Sequence, residues 1–235
     1  MKKHFILGTL IASILLAGCG GGGGGSNNGG GTPPVSTQIR VLAPNTFAYN
    51  LSGTLTTPGN GTQTLTASSQ RSIVVTSEAT AGQFKLDGTD AVVVNEGSPS
   101  TAFNFDVEVT QQNDRSVLAR SFDLGDGIKT LNTPTLVFLP GTFTTDTSAQ
   151  TRTVSLSDGS TATYSFQVGG IQSVQVPFGT FDAYVVTSSI TLAPDNKRTG
   201  TYYYVPALGT YVKSVETITR PDGVASITSE LRSVS

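Results

Sequence analysis

Histidine, cysteine, methionine and tryptophan are nearly missing from this sequence: one each of the first three, and none of the last, among 235 residues. Met1 and His4 sit at the very start, and Cys19 carries the single thiol. Beyond residue 19 the chain therefore has no imidazole, thiol or thioether. Serine–histidine and cysteine–histidine catalysis have no base or nucleophile there. Zinc, copper, haem and iron–sulfur centres built on His, Cys or Met have no ligands. One cysteine cannot form an intramolecular disulfide, so stability has to come from a packed core. What survives is oxygen-donor chemistry: calcium or magnesium on carboxylates, or two carboxylates working as acid and base. No cofactor is expected.

Clustered positive charge is also missing. Lys2 and Lys3 precede Cys19, so residues 19–235 keep 12 of the 14 basic residues against 16 acidic ones, a net charge of −4. A nucleic-acid footprint needs Lys and Arg gathered on one face. Only Lys197-Arg198 approaches this, and the pair reads as solvated turn residues, so no nucleic-acid partner is expected.

The N-terminus holds the clearest signal. Met1-Lys2-Lys3-His4 is cationic, and Phe5 to Ala17 (FILGTLIASILLA) is apolar apart from Thr9 and Ser13. That run falls short of the ~20 residues a membrane-spanning helix needs and suits a signal-peptide core. It ends in Leu16-Ala17-Gly18-Cys19, which resembles the lipobox of bacterial lipoproteins. The resemblance implies diacylglycerol on the Cys19 thiol, cleavage just before it, and acylation, typically by palmitate, of the new amine. A single acyl chain binds membranes marginally, whereas two or three anchor stably. Gly20 follows the cysteine where enterobacterial inner-membrane lipoproteins tend to carry Asp. The resemblance thus implies an outer-membrane anchor, with the domain facing either the periplasm or the surface.

Residues 20–34 (GGGGGGSNNGGGTPP) can bury no apolar surface, and such composition predicts a disordered coil spanning about 20 Å. No strand precedes it and no Gly-Lys-Ser/Thr follows, which excludes a phosphate-cradling loop. The expected organisation is a signal peptide over 1–18, a lipidated cysteine and tether over 19–37, and one domain over 38–235.

That domain is rich in Thr, Val, Ser, Phe and Tyr in short runs split by turn signals, the pattern of antiparallel sheet. Odd positions are apolar in Phe103-Asn104-Phe105-Asp106-Val107-Glu108-Val109, and alternation returns in Val154-Ser155-Leu156 and Tyr164-Ser165-Phe166-Gln167-Val168 around Ser157-Asp158-Gly159-Ser160. An Asp-Gly turn between alternating runs predicts a hairpin. Asp87-Gly88, Asp126-Gly127, Asp222-Gly223, Pro58-Gly59-Asn60-Gly61 and the stretch 194–200 (PDNKRTG) read as further turns. Eleven to thirteen strands without helix-period segments predict an all-β fold. The expectation is a meandering antiparallel sheet curved into a half-barrel or barrel, with a β-sandwich as the alternative. A membrane-spanning barrel is disfavoured by the charges in the alternating strands and by a redundant lipid anchor.

The most distinctive stretch is Val174-Gln175-Val176-Pro177-Phe178-Gly179-Thr180-Phe181, followed by Tyr202-Tyr203-Tyr204-Val205-Pro206-Ala207-Leu208-Gly209-Thr210-Tyr211-Val212-Lys213, with an echo in Leu139-Pro140-Gly141-Thr142-Phe143. It resembles a Val-Pro-x-Gly-Thr-Phe … aromatic, Pro, Gly, Val-Lys signature of uncharacterised bacterial envelope proteins and lipoproteins. Tyr202-Tyr203-Tyr204 stands where that pattern usually has Trp. The resemblance implies an all-β fold, related in some members to curved-sheet lipid carriers, and no catalytic residue. Physically, Pro177 and Gly179 make a tight turn with Thr180 beginning the return strand, and Phe181 falls back on the core. Tyr202 and Tyr204 share one face while Tyr203 faces the other way. Pro206, Gly209 and Lys213 complete the pattern.

Asp123 and Asp126 in one Gly-containing loop, and Asp87 and Asp90 in another, lack calcium-loop spacing. Three functions follow from these observations: a non-enzymatic lipid-anchored envelope protein, a binding or scaffold domain of unknown partner; a carrier of a lipid or other apolar molecule inside the sheet; and a carboxylate-based glycan hydrolase, for which no two acids are paired by the sequence.

Overall fold

The computed structural model describes residues 37–39, 41, 43–95, 101–123, 127–133, 136–145, 147–193 and 195–235. The signal segment, Cys19 with Leu16, Ala17 and Gly18, the glycine tether and Asp126 lie outside the described residues.

Fourteen strands account for nearly all regular structure among the described residues. They are β1 (Asn45–Thr57), β2 (Gly61–Thr64), β3 (Gln70–Ser77), β4 (Gln83–Val92), β5 (Thr101–Gln111), β6 (Val117–Asp123), β7 (Lys129–Thr130), β8 (Leu136–Leu139), β9 (Gln150–Ser155), β10 (Thr161–Val176), β11 (Gly179–Ala193), β12 (Asn196–Val205), β13 (Thr210–Arg220) and β14 (Gly223–Val234). One 3₁₀ turn, Pro206–Leu208, joins β12 to β13. The chain is all-β, as its composition requires, and the eleven longer strands fall within the expected number.

All strands belong to one antiparallel sheet in the order β7-β6-β5-β4-β3-β1-β14-β13-β12-β11-β10-β9, with β2 beside β1 and β8 beside β6. Apart from the short strands β2 and β7, which the β1–β3 and β6–β8 pairings pass over, neighbours in the sheet are neighbours in sequence except at β1 and β14, the first and last strands. Their long ladder, from Phe47↔Val234 to Thr56↔Val224, joins the two halves of the meander. No ladder joins the two ends of the sheet. They meet instead through a lone antiparallel bridge, Leu131↔Leu156. Asn132 N donates to Ser155 O at 3.2 Å and Ser157 N to Thr130 O at 2.9 Å on either side of it. The sheet is thus a strongly curled, barrel-like meander with one thin seam.

Curvature shows in contacts between strands far apart in that order. The Arg198 guanidinium of β12 lies 4.6 Å from the Phe105 ring centroid of β5, and Arg71 of β3 reaches Glu216 of β13 past β1 and β14. Inward-facing alternation supplies the core. Val107 and Val109 on β5 pack with Tyr164, Phe166 and Val168 on β10. The echo motif contributes Phe143, which stacks on Tyr204 with centroids 5.1 Å apart and planes 11° apart. The N-terminal segment bridges it at Gln38↔Thr142 and buries Ile39 completely.

Several turn expectations hold. Ser157 to Ser160 turns β9 into β10, Asp222-Gly223 turns β13 into β14, and Pro58 to Asn60 turns β1 into β2. Two do not. Asp87-Gly88 lies inside β4, where Gly88 pairs with Phe105. A Cβ there would sit 2.1 Å from the Phe105 ring, so this glycine makes room for an aromatic rather than for a turn. In 194–200, strand β12 already begins at Asn196, and Gly200 leaves space for the Glu216 side chain, 3.0 Å from where a Cβ would stand.

Candidate functional site

The signature-like residues separate into two groups. Pro177 ends β10, and Gly179, Thr180 and Phe181 begin β11, so this part of the motif is the tip of the long β10–β11 hairpin. Gly179 takes φ +152°, strained for other residues. Phe181 stacks on Phe178 with centroids 6.1 Å apart. The tip runs beyond the β12 ladder, and Phe178 N donates to Leu231 O on β14 at 3.0 Å. Pro206 is buried at the start of the 3₁₀ turn, and Gly209 closes it at φ +66°. Lys213 forms an ion pair with Glu230 at 2.8 Å.

Tyr202 and Tyr204 differ. Both point into the barrel, while Tyr203 packs in another cluster with Val174 and Val205. They help to line an apolar chamber of about 180 Å³, whose wall also includes Phe166, Ser188, Phe105 and Arg198. Burial pushes the Tyr164, Tyr202, Tyr204 and Tyr211 phenols well above their usual pKa, so they are neutral hydroxyls at working pH. Tyr49 stacks on Tyr211 at 5.0 Å, and its hydroxyl donates to Tyr211 O at 2.9 Å, which keeps this end of the interior rigid.

A second cavity, about 450 Å³ and as open to solvent as the first, lies at the end of the barrel formed by the β1–β2 and β13–β14 turns. Phe105 and Arg198 line both spaces, so the cleft and the chamber share a wall. Dry apolar cavities of about 150 Å³ admit benzene, and small-molecule sites run to roughly 300–1,000 Å³. The chamber alone takes a ring or a short chain.

Between them stands a buried ionic network that the sequence did not announce. Arg71 is fully buried. Its Nε and Nη2 donate to the two Asp90 carboxylate oxygens at 2.6 and 2.8 Å. Nη1 donates to Glu216 Oε1 at 2.6 Å and to Tyr211 Oη at 2.9 Å. Arg198 Nε donates to Glu216 Oε2 at 2.8 Å, and Ser214 Oγ to Glu216 Oε1 at 2.5 Å. Two guanidinium groups face two carboxylates, so the charges balance. Burial opposes the Glu216 charge, but Arg198 and Arg71 overcome it and hold its pKa at about 2. Burial likewise opposes charge on Arg71, yet Glu216, Tyr211 and Asp90 raise its pKa well above the usual arginine value.

This network corrects the expectation for Lys197-Arg198. Lys197 is exposed, but Arg198 turns inward, with its side chain 13% exposed. Asp87 and Asp90 fall on opposite faces of β4, Asp87 meeting Lys85 at 2.5 Å outside while Asp90 meets Arg71 inside, so they cannot share a cation. The available sequence signal for Arg71 was its phase: it shares a face with Ile73 and Val75.

No family model matches the chain, and no curated protein matches it. Among solved structures it is similar to a Bacteroides fragilis protein described as exported and of YmcC-like fold, at 10% identity and a TM-score of 0.40, over 85% of this chain and 99% of that one. It is also similar to a Parabacteroides distasonis protein described as a lipoprotein, at 11% identity and a TM-score of 0.41, over 86% and 100% of the two chains. The hypothetical lipoprotein YmcC of Escherichia coli matches at 16% identity and a TM-score of 0.32, over 80% and 84%. At these identities and scores the likenesses carry no functional argument.

Proposed function

We propose that this chain is a non-enzymatic, lipid-anchored protein of the bacterial envelope whose barrel carries an apolar or amphipathic small molecule. The observation that carries the binding half is the tyrosine- and phenylalanine-lined chamber sharing a wall with an open cleft. A protein scaffold needs no such interior. The likeness of residues 174–213 to envelope lipoproteins supports the same placement, and Gly20 after Cys19 favours the outer membrane. The glycine-rich tether would give the barrel reach from its anchor to meet a ligand or an envelope protein.

Glycan hydrolysis fits the interior poorly. The chemistry needs one carboxyl protonated near neutral pH as general acid. Glu216 is held ionised by two guanidinium groups, and Asp90 is gripped through both oxygens by Arg71.

Two experiments test the two halves. Cys19→Ser should abolish incorporation of labelled palmitate into the protein in growing cells; a labelled variant would remove the anchor. For the cargo, the mature chain bearing that substitution, exported on a non-lipoprotein signal and isolated without detergent, should bind the neutral apolar probe N-phenyl-1-naphthylamine. Ser188→Phe, which puts a ring into the chamber, should weaken binding at least tenfold while the unfolding midpoint stays close to the parent value. Undiminished binding would mean that the probe sits elsewhere.

A further inference from the structure

We propose that the open cleft selects an anionic head group, a carboxylate or phosphate carried by the amphipathic ligand itself, with Arg220 as its principal partner and Lys197 as its second. This deepens the carrier reading and rests on it.

The charges of the cleft wall point to this. Five ionisable residues line it: Asp90, Lys197, Arg198, Arg220 and Asp222. Asp90 is neutralised by Arg71, and Arg198 is committed to Glu216. That leaves Lys197 and Arg220 against Asp222. Among the described residues neither cation forms an ion pair within 4.0 Å. The Arg220 Nε is moreover enclosed without a hydrogen-bond acceptor, while its guanidinium lies 5.5 Å from the Phe103 ring centroid. A buried donor left unpaired is costly, and bonds to a charged acceptor are among the strongest that could relieve it. An anion arriving in the cleft beside Arg220 supplies the missing charge and an acceptor for the outer N–H groups of its guanidinium.

The position of Arg220 makes the ligand amphipathic. Pairing along the β13–β14 hairpin places Arg220 opposite Gly223 at the rim, Ile218 opposite Ala225 one step in, and Glu216 opposite Ile227 two steps in. Polar wall at the rim thus gives way to apolar wall before the neck at Phe105 and Arg198, behind which the aromatic chamber lies. From Arg220 to Glu216 the strand advances about 13 Å, room for a chain of roughly ten carbons between the head and the neck. A head at the rim therefore lays a ten-carbon tail along the apolar wall with its end at Phe105 and Arg198, where it competes with a probe in the adjoining chamber.

Decanoate and decanol, which share a tail and differ in the head, test this by displacing N-phenyl-1-naphthylamine from the mature chain at pH 7 and low salt. Decanoate should bind at least tenfold more tightly. Arg220→Gln should bring decanoate to within about twofold of decanol and leave decanol unchanged, and Lys197→Gln should give a smaller loss of the same kind. Decanoate affinity should also fall as salt rises, since the attraction is screened. Decyl phosphate should follow decanoate, whereas inorganic phosphate alone should displace nothing, which separates a head group on a ligand from a free anion. Equal binding of acid and alcohol by the unaltered protein would overturn the head-group proposal while leaving the carrier reading intact. Failure of the neutral probe and of both decyl compounds to bind would instead remove the carrier reading.

Discussion

Replacing Arg71 with methionine should lower the free energy of unfolding by roughly 3–5 kcal/mol, the usual result of removing one partner from a buried ionic group. Arg71 is the partner of both Asp90 oxygens, and Asp90 is 2% exposed. Glu216 keeps Arg198 and Ser214, so the loss falls mainly on Asp90. The fold-stability balance of a domain is commonly about 5–15 kcal/mol, so the single variant should show a large fall in the urea midpoint, with the slope of the transition preserved. Adding Asp90→Leu should recover much of the loss, because an apolar pair of similar size needs no counter-charge. If the double variant were as unstable as Arg71→Met, lost packing rather than an unpaired carboxylate would be the cause, and the cycle of four proteins separates the two.

The second large effect is a loss of stability in acid that depends on Glu216. Its pKa is about 2 in the folded protein against an ordinary 4.5. A folded pKa below the unfolded one means that the unfolded chain binds the proton more readily. The stabilisation is therefore complete above about pH 4.5 and is lost as pH falls towards 2. Its size is on the order of 3 kcal/mol, at about 1.4 kcal/mol per pH unit for one proton. Urea titrations at several pH values should show that slope beneath the contributions of other carboxylates. Glu216→Gln should reduce the slope between pH 4.5 and 2 by about one proton. Because the variant also weakens the anchoring of Arg71 and Arg198, the informative quantity is the slope rather than the stability at one pH. An unchanged slope would show that Glu216 does not titrate in this window.

The buried network has a consequence for the proposed cargo. Arg198 holds Glu216 with one edge and covers Phe105 with its face. The wall shared by cleft and chamber is thereby made of a guanidinium held by one carboxylate and an aromatic ring. An arginine held by a carboxylate keeps its position, whereas Arg220 at the rim, which forms no ion pair among the described residues, is left to meet the head.

Much of the all-β architecture could be read along the chain, because period-2 alternation is local. Phe103, Phe105, Val107 and Val109 face the interior as their spacing predicts, and Tyr202 and Tyr204 point in while Tyr203 points away. The hairpins at Ser157–Ser160 and Asp222-Gly223 follow from turn chemistry within a few residues. Composition alone also removed imidazole and thiol chemistry from everything beyond Cys19.

Where a strand slips phase, local alternation misleads. Tyr203 pairs with Lys213 but Tyr204 pairs with Tyr211, so Val212 is an extra residue in β13. Strict alternation from the inward-facing Tyr211 would put Val215 inside and Glu216 outside. The bulge reverses this: Glu216 is buried and Val215 is 48% exposed. The network that follows joins residues 145 positions apart, Arg71 and Glu216. Neither carries a local mark of its partner. Gly88 was legible only as a turn, because the Phe105 ring that needs its missing Cβ comes from the next strand.

The sequence by itself determined the strand-forming character of the domain, the chemistry it lacks and the lipobox-like cysteine, since each depends on residue type and short spacing. Only the tertiary structure decided that Arg71, Asp90, Arg198 and Glu216 meet inside, that two adjoining cavities remain around them, and that Arg220 stands unpaired at the open end. Those outcomes depend on strand register and sheet curvature, which arise when distant strands pair and which one bulged residue is enough to change.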